Sequence, residues 1–513
     1  MKIKILCAIA LIAGGASLSP LSLFAQIGTR FPSVKKIVPD PVTGVPLSFL
    51  TSMPAGDSKI YQTHPQWTAD GKWLVFRSNR VPGQAMAVNE ASGVIVQVTD
   101  KGYMGMLCNA RLSMKLYIMR DVNAAGRGQG GSSAPAGTVS PSAAPAAAPS
   151  SQAVAAPGTT PAGAPGAAAA PDARGERRGG FNRPRGPFQI VEIDLAKVFA
   201  DSEAGTIKPA SNYERVCGTT PEGMFADGNM GLDANENFIY FRVSGDEVSK
   251  HLPEGQKPAA PFGPRGMGAG PTGLASMNLQ TGEVNLIVTV PFQIGHVQTN
   301  PWVPGEIVFC WETGGKAPQR TWTVMADGTG LRPLYPEADY EWITHEAVIT
   351  KDEVAIAIIA LRRPKIAGQL VEPNSPVPVN AWGPAGGGDK PTGVGIVNLR
   401  TREIRLVGQV PFGDPGRSIW HVNGSPDGRW AVADDFQYRT WLIDRHSGEM
   451  ILLSDNGHKT TAADHQHPTF SADSTRIEIQ SAMLSENGRA LNICVIPVPK
   501  TWLARHYSDK APE

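Results

Sequence analysis

The sequence lacks an excess of charge of either sign, with 47 basic residues against 46 acidic ones in a chain of 513 residues. Partners such as nucleic acid or an anionic membrane surface are attracted by clustered positive charge. The balanced composition therefore gives no reason to expect a nucleic-acid partner. Charged residues make up only 18% of the chain and hydrophobic residues 41%, which is enough to bury a large core.

Cysteine is also scarce, with five residues in the whole chain. Cys7 lies in the N-terminal apolar stretch, and the other four are widely separated, without the C-x-x-C spacing of a thiolate metal site. We predict that these four cysteines, Cys108, Cys217, Cys310 and Cys494, are small buried hydrophobic residues rather than a disulfide framework.

The N-terminal stretch has the pattern of a secretory signal. Lys2 and Lys4 precede an apolar run, and Ala25 is a small residue suited to a cleavage site. Gly14, Gly15 and Pro20 interrupt the run, so it is short for a membrane-spanning helix. We predict a cleaved signal peptide over residues 1–25, a periplasmic or secreted protein, and no stable membrane insertion.

A second unusual segment covers residues 125–187, where the composition falls almost entirely to Ala, Pro, Gly and Ser before an Arg/Gly-rich end. Such a segment buries too little apolar surface to offset the entropy of ordering it. We predict that it is a disordered insert at a hairpin tip.

The remaining chain contains an internal repeat. "PTGLASMNLQTGEVNLIV" from Pro271 parallels "PTGVGIVNLRTREIRLVG" from Pro391, and each reads as two strands around a polar turn. Another pair of strands precedes each copy, and four strands recurring at roughly fifty residues indicate a β-propeller. We predict an all-β fold, a seven-bladed propeller over residues 51–506, with the insert in blade 2. The inner strands are expected to start near His64, Cys108, Gly231, His296, His345, His421 and His465.

The last unit shows only three clear strands, ending in "ALNICVIPVP". Residues 26–50 form an N-terminal segment, and "GVPLSFLTS" from Gly44 is suited to supply the missing strand. Pairing the two ends of the chain would close the ring and remove exposed strand edges.

Histidines cluster at the starts of the predicted inner strands. Six of the ten histidines of the chain fall there, namely His64, His296, His345, His421, His465 and His467. Residues i and i+2 of a strand share a face, so His465 and His467 can point into one site with His421 from the neighbouring blade. Three convergent imidazoles favour a transition metal such as Mn, Fe, Ni or Zn. A structural role remains open for His64 and His296, because His-Pro followed by an aromatic residue is common in propeller repeats.

Several motifs resemble the oligogalacturonate lyase family: "QRTW" before "ADGTGLRPLYP", then "THEA", "WHVNGSPDGRW" and "HQHPTFSADS". The resemblance runs from about His64 to the C-terminus and is strongest after His296. It implies a seven-bladed propeller that cleaves uronic-acid chains by β-elimination with bound Mn²⁺ or another divalent transition metal. The metal ligands implied are His421, His465 and His467.

The resemblance also implies roles for other residues. His345 of "THEA" matches the Brønsted base of the family, and Arg320 of "QRTW" matches its arginine. Arg320 and the metal would neutralise the substrate carboxylate. By position we add His64, His296 and Trp420 as substrate-binding residues. The fourth ligand of the family, a glutamine, has no counterpart at its spacing, so Asp464, Gln466 or a water remains open for that place.

The expected partner is therefore a uronic-acid oligosaccharide. An alternative is a non-catalytic, TolB-like periplasmic propeller that binds proteins or glycans, which the repeat turns fit equally well. A third class, the propeller half of a serine peptidase, is disfavoured because no G-x-S-x-G nucleophile motif is present.

Overall fold

The computed structural model describes residues 26–122, 187–261, 266–314, 317–338, 341–361, 393–409, 419–455 and 465–507. The predicted signal peptide and, apart from Pro187, the predicted insert lie outside these residues. Within them the chain forms seven antiparallel sheets of four or five strands.

The first three blades are built in chain order, with each blade given from the channel outward. Blade 1 consists of β4 (Asp57–Lys59), β5 (Trp73–Ser78), β6 (Gln84–Asn89), β7 (Ile95–Gln97) and β1 (Arg30–Phe31). Blade 2 consists of β8 (Met104–Asn109), β9 (Lys115–Asp121), β10 (Phe188–Asp194) and β11 (Glu214–Thr219). Blade 3 consists of β12 (Phe225–Leu232), β13 (Phe238–Ser244), β14 (Ala269–Asn278) and β15 (Val284–Phe292).

The other four blades follow the same order. Blade 4 consists of β16 (Ile294–Thr299), β17 (Glu306–Trp311), β18 (Thr321–Met325) and β19 (Arg332–Pro333). Blade 5 consists of β20 (Glu341–Thr350), β21 (Glu353–Leu361), β22 (Gly393–Asn398) and β23 (Ile404–Gln409). Blade 6 consists of β24 (Ile419–Gly424), β25 (Trp430–Asp435), β26 (Arg439–Asp444) and β27 (Met450–Asp455). Blade 7 consists of β28 (Thr469–Phe470), β29 (Arg476–Ser481), β30 (Asn492–Pro497), β3 (Pro46–Phe49) and β2 (Lys36–Pro39).

Within the described residues the core is divided into seven hydrophobic clusters, and each lies mainly between two adjacent blades. Trp430 of blade 6 and Phe49 of blade 7, for example, are fully buried in one cluster. Another cluster joins Val495 of blade 7 to Phe76 of blade 1, which completes the ring. Burial of both faces of each sheet explains the nearly continuous apolar character of the middle strands. The predicted all-β, seven-bladed propeller is confirmed.

The ring is closed by the N-terminal segment, as predicted. Strand β3 pairs with β30, with Ser48 opposite Val495 and Phe49 opposite Cys494. The structure adds two short strands, because β2 extends blade 7 beyond β3 and β1 adds an outer strand to blade 1. Blade 7 is therefore held together by strands from both ends of the chain.

Within the described residues, three short α-helices accompany the blades: α1 (Leu195–Ala204), α2 (Asp246–Ser249) and α3 (Lys500–Leu503). Helix α1 is capped by Asp194, whose side chain accepts a hydrogen bond from the backbone N–H of Lys197. It packs Phe199 against Trp73 of blade 1, with ring centroids 4.1 Å apart. Across the described ranges, every helix is too short or too polar to span a bilayer. Cys108, Cys217, Cys310 and Cys494 are buried and free, as predicted.

The inner strands depart from the predicted starts in blades 1, 2, 3 and 7. In blade 2, Cys108 lies near the end of β8, and in blade 7, β28 begins only after His465. In blade 1, β4 ends before Ile60, the chain turns at His64, and it pairs again only where Trp67 meets Leu74. In blade 3, Gly231 lies near the end of β12 rather than at its start. An irregularity in the pairing register lies between Ala226 and Met230 of that strand. The first half of the strand therefore lacks the continuous alternation by which a strand is predicted from sequence.

The same irregularity recurs in five inner strands, where the pairing register shifts near the channel. Gly105 and Gly228 adopt positive φ there in blades 2 and 3, whereas His296 and His345 adopt it in blades 4 and 5. His467 has the same left-handed conformation, with φ of 50°, just before β28. A non-glycine residue in this conformation costs about 1 kcal/mol or more, and such strain is concentrated at functional sites. Three histidines therefore hold a conformation that glycine adopts at no cost.

Candidate metal centre

His421, His465 and His467 meet at the junction of blades 6 and 7. The ring centroids of His421 and His467 are 3.7 Å apart, and those of His421 and His465 are 5.6 Å apart. All three side chains are buried. Convergence does not come from an extended strand, because His465 and His467 precede β28 and His467 has positive φ. The left-handed backbone at His467, rather than simple alternation, directs its side chain toward His421.

Asp434 of β25 joins this group. Its Oδ1 accepts a hydrogen bond from the backbone N–H of His421 at 2.7 Å, and its Oδ2 accepts one from the backbone N–H of His467 at 3.0 Å. Potential ligand atoms of His421, Asp434 and His465 all lie within 4.8 Å of one another. Imidazole nitrogens suit Mn, Fe, Ni or Zn, so the histidine donors fit a divalent transition metal, and the carboxylate of Asp434 adds negative charge that favours a cation there.

Burial keeps the imidazoles of His421 and His467 neutral. It lowers the pKa of His421 well below its usual value, helped by the adjacent His467 and His465. It also lowers the pKa of His467 to about 4, although Asp434 acts in the opposite direction. A neutral imidazole has a lone pair available for a cation, so no proton needs to leave at neutral pH when a metal binds.

Gln480 of β29 holds the segment that contains His465 and His467. Its Nε2 donates to the carbonyl of His465 at 2.8 Å and lies 3.2 Å from Nδ1 of His467. Its Oε1 accepts from the backbone N–H of Lys59 in β4 at 3.1 Å. The candidate site is thereby attached to blade 1 as well as to blades 6 and 7.

His345 of β20 lies beside the three histidines, with its ring centroid 4.1 Å from that of His421. Its Nδ1 is 2.7 Å from the carbonyl oxygen of Trp420. A carbonyl can only accept, so Nδ1 carries the proton and Nε2 carries the lone pair. Burial, together with His421 and Arg320, lowers the pKa of His345 well below its usual value. His345 is therefore a neutral imidazole in a fixed tautomer, which is the form a proton acceptor needs.

Arg320, His296 and two glutamates form a buried ionic cluster next to His345. Arg320 Nε is 3.3 Å from Glu346 Oε2, and its terminal nitrogen is 3.7 Å from Glu312 Oε2. His296 lies between them, with Nδ1 3.1 Å from Glu346 and Nε2 3.3 Å from Glu312. Despite burial, the charge of Arg320 lowers the pKa of both carboxyl groups.

Arg320 lies within this cluster, where two glutamates balance its charge. Its guanidinium also contacts Glu346, next to His345, and His296. The neutralisation of a substrate carboxylate by Arg320 stays a prediction.

His296, Cys310 and Glu312 also have donor atoms within 4.8 Å of one another. A metal there is disfavoured, because the Arg320 guanidinium lies only 3.3 Å from His296 Nδ1 and would repel a cation. Burial also raises the pKa of the Cys310 thiol well above its usual value, which disfavours its thiolate form. The group is an ion-pair cluster rather than a second metal site.

His64 lies apart from these groups. Its Nε2 is 2.8 Å from the carbonyl of Met230 in blade 3, and its Nδ1 is 2.8 Å from Oγ1 of Thr63. Both ring nitrogens are thus used within the protein, and burial lowers the pKa of His64 to about 4. His64 therefore links blades 1 and 3 through its contact with Met230, and its contact with substrate stays a prediction.

Trp420 is half-buried at the edge of the site, where we expect substrate contact. Its ring centroid is 4.7 Å from that of His345 and 5.7 Å from that of His465. Phe436 and Tyr438, both partly exposed, continue this aromatic wall, and Tyr438 stacks on His465 at 4.7 Å. Rings of this kind can stack on the apolar faces of sugars as well as fix the orientation of His465.

Sequence reasoning missed several residues of the site: Tyr61, Glu312, Glu346, Asp434, Phe436, Tyr438 and Gln480. Tyr61 packs its ring against His296 and His467, at 4.9 and 5.3 Å between centroids. Glu346 directly follows His345, but alternation would have placed it on the opposite face. Of the candidate fourth ligands, Asp464 lies outside the described residues, and the Gln466 amide donates to the carbonyl of Tyr438.

The fold and the site define a seven-bladed β-propeller whose channel holds buried histidines from blades 4 to 7, with three of them around a carboxylate. Among solved structures, the chain is similar to an oligogalacturonate lyase in complex with manganese, with a TM-score of 0.60 and 15% identity over 93% of this chain and 100% of the other. It is also similar to the oligogalacturonate lyase of Vibrio parahaemolyticus, with a TM-score of 0.58 and 14% identity at the same coverage.

These similarities support the seven-bladed propeller fold. Both proteins are oligogalacturonate lyases, the family whose motifs the sequence resembles. A TolB-like protein from Agrobacterium tumefaciens is also similar, with a TM-score of 0.33 and 11% identity over 69% of this chain and 82% of the other. No family model matches the chain, and no curated protein matches it by sequence.

Proposed function

We propose that the protein is a metal-dependent lyase that cleaves uronic-acid-containing oligosaccharides by β-elimination. One observation carries the proposal: His345 holds a neutral imidazole, with its lone pair on Nε2, beside the three histidines and Asp434. Similarity in fold to two oligogalacturonate lyases supports it. A TolB-like scaffold would bind proteins or glycans without needing three strained, buried histidines in its channel.

The reaction begins with the hydrogen on C5 of a uronate, which is poorly acidic because its removal adds charge beside a carboxylate. His345 Nε2 takes this proton, and the electrons of the C5–H bond form the C4–C5 double bond. The C4–O bond breaks, and the departing oxygen takes up a proton to become a hydroxyl group. No water attacks the glycosidic bond.

His421, His465 and His467 would hold the cation, Mn²⁺ or another divalent transition metal. Bound there, the cation would supply Lewis-acid neutralisation of the substrate carboxylate. Trp420, with Phe436 and Tyr438 beside it, would stack on the sugar and exclude water from one side of the site. Glu346, paired with Arg320, holds the backbone at His345 in position.

The test is a lyase assay on oligomers of galacturonate, glucuronate and iduronate, with added Mn²⁺ and with a chelator. We expect ultraviolet absorbance from the new conjugated double bond with at least one uronate, and loss of that signal with chelator. Absence of the signal for all three sugars would overturn the proposal. Appearance of reducing ends without absorbance would indicate hydrolysis instead.

We further propose that the protein acts in the periplasm or outside the cell after removal of residues 1–25. The charged start and the apolar run of this segment support export. N-terminal sequencing of the protein purified from its native host should begin at Gln26. An intact Met1 would contradict export by a cleaved signal.

A further inference from the structure

Asp434 occupies an unusual position in the candidate metal centre. It is the fifth residue of β25, the second strand of blade 6, and its side chain is completely buried. The carboxylate points into the channel instead of into the cluster between blades. It lies between His421 of its own blade and His467 of the next.

Each oxygen of Asp434 accepts one backbone hydrogen bond from a histidine. Oδ1 accepts from His421 and Oδ2 from His467, so one carboxylate fixes the backbone of two candidate ligands on different blades. Backbone N–H groups only donate, which matches the acceptor-only character of an ionised carboxylate.

Both oxygens also lie close to the ring of His421, with Nδ1 3.1 Å from Oδ1 and 3.0 Å from Oδ2. Burial raises the pKa of Asp434, but both of its oxygens already accept backbone N–H groups, so the carboxyl group acts as the acceptor and the proton of this contact belongs to Nδ1 of His421. The lone pair of the ring is then on Nε2. Hydrogen bonds of this kind set which nitrogen of a metal-binding histidine is free and make it a better ligand.

We propose that Asp434 is a positioning residue that fixes the Nδ1–H tautomer of His421 and holds His467 beside it, so that His421 Nε2 and His467 face one cation. In this arrangement Asp434 acts through the histidines and is not itself a ligand. The inference adds to the proposed function but does not need the lyase reaction, because it can be measured on the metal-free protein.

The first measurement uses the wild-type protein stripped of metal and labelled with ¹⁵N-histidine. Nitrogen chemical shifts distinguish Nδ1–H from Nε2–H tautomers, and the spectrum of His421→Ala identifies the signals of His421. We expect His421 to carry its proton on Nδ1. A proton on Nε2 in the wild type would overturn the proposal without any variant having to fold.

The second measurement compares Asp434→Asn with the wild type by calorimetric titration of Mn²⁺ and of Zn²⁺. An asparagine amide would donate to His421 Nδ1 and move the proton to Nε2, the wrong tautomer for a ligand. We expect metal affinity to fall about 10- to 100-fold, which is typical when such a partner is lost. Unchanged affinity with unchanged tautomer would overturn the proposal.

Asp435→Asn is the matched control. Asp435 is the next residue of β25 and is equally buried, but its Oδ2 accepts from Arg439 and Trp441 instead of from histidines. We expect its metal affinity to stay within about twofold of the wild type. Equal losses in both variants would mean that a buried carboxylate matters only for folding, and would overturn the positioning role. If the wild type binds no metal at all, the proposed lyase fails, and the tautomer still decides the role of Asp434.

Discussion

His421 and His467 have ring centroids 3.7 Å apart, although they belong to blade 6 and to the segment that begins blade 7. Two imidazolium cations could not be buried this close together, so the pair is neutral in the folded protein. A cation held by both rings would therefore add a link between two blades that already contact each other through apolar packing, Asp434 and hydrogen bonds such as that from the backbone N–H of Phe470 to Asn423 Oδ1.

We predict that His465→Ala or His467→Ala removes the metal from the purified protein, whereas His64→Ala keeps it. Loss of one of three imidazole ligands sharply weakens a metal site, while both nitrogens of His64 bond elsewhere in the protein. Elemental analysis of the three variants checks this. Equal metal content in all three would refute the ligand set.

His345→Ala should retain metal but lose turnover by roughly 10²- to 10⁴-fold, the usual contribution of a positioned general base. The ultraviolet assay gives the rate, and elemental analysis gives the metal content. Full activity in this variant would exclude His345 as the base. His296 would then be the next candidate, since its ring lies 5.8 Å from that of His345.

Arg320→Met should destabilise the protein by about 3–5 kcal/mol, because it leaves two buried carboxylates without their cation. Chemical denaturation measures the free energy of unfolding. The matched control is Arg429→Met, whose pair with Asp427 is partly exposed and should cost no more than about 1 kcal/mol. Adding Glu312→Gln and Glu346→Gln to Arg320→Met should recover much of the loss. A small effect of Arg320→Met alone would show that the ion pairs are not essential for folding.

The buried Glu478 should make the free energy of unfolding decrease as the pH rises. It is fully buried in β29, Lys59 Nζ lies 4.0 Å away, and burial raises the pKa of Glu478 to about 8. Glu90 raises it further, Lys59 lowers it, and the Cys494 thiol nearby stays protonated because its own pKa is raised. The folded state therefore keeps a proton that the unfolded state releases above about pH 4.5.

The stabilising contribution of protonated Glu478 is fully present below about pH 4.5 and is lost as the pH rises to about 8. Within that window the slope is at most about 1.4 kcal/mol per pH unit. Glu478→Gln should remove this component, so the difference in unfolding free energy between variant and wild type should grow with pH. A difference that stays constant from pH 5 to pH 8 would contradict a protonated Glu478.

Gly105→Ala and Gly228→Ala should both destabilise the fold strongly. A Cβ on Gly105 would lie 2.2 Å from the carbonyl oxygen of Gly228, and both glycines have positive φ. Gly71→Ala is the control, because Gly71 has a similar φ but nothing within 4 Å of the added Cβ. Gly71→Ala should cost about 1 kcal/mol, and the other two clearly more. Similar melting temperatures for all three variants would show that the close approach of blades 2 and 3 is not required.

The sequence predicted the blades because alternating apolar residues and turn residues are local signals. It predicted the closing strand around Phe49 for the same reason. Strands β1 and β2 were not predicted, because they are short and half-exposed and gain their partners only when the ring closes. Asp434 and Glu312 were not recognised as site residues, because their contacts with histidines depend on the register between strands. The one local signal was the pair of acidic residues at Asp434 and Asp435, where an apolar strand would otherwise be expected to continue.

A left-handed backbone position near the channel recurs in blades 2, 3, 4, 5 and 7, where glycine or histidine occupies it. Where glycine occupies it, in blades 2 and 3, the two backbones touch and no side chain can be introduced. Where histidine occupies it, at His296, His345 and His467, the side chain is directed to the channel by a backbone that glycine could equally maintain. A propeller with this backbone could therefore change the side chains that line its channel by substituting these few residues. Its strands, the packing between its blades and the closure of its ring would stay unchanged.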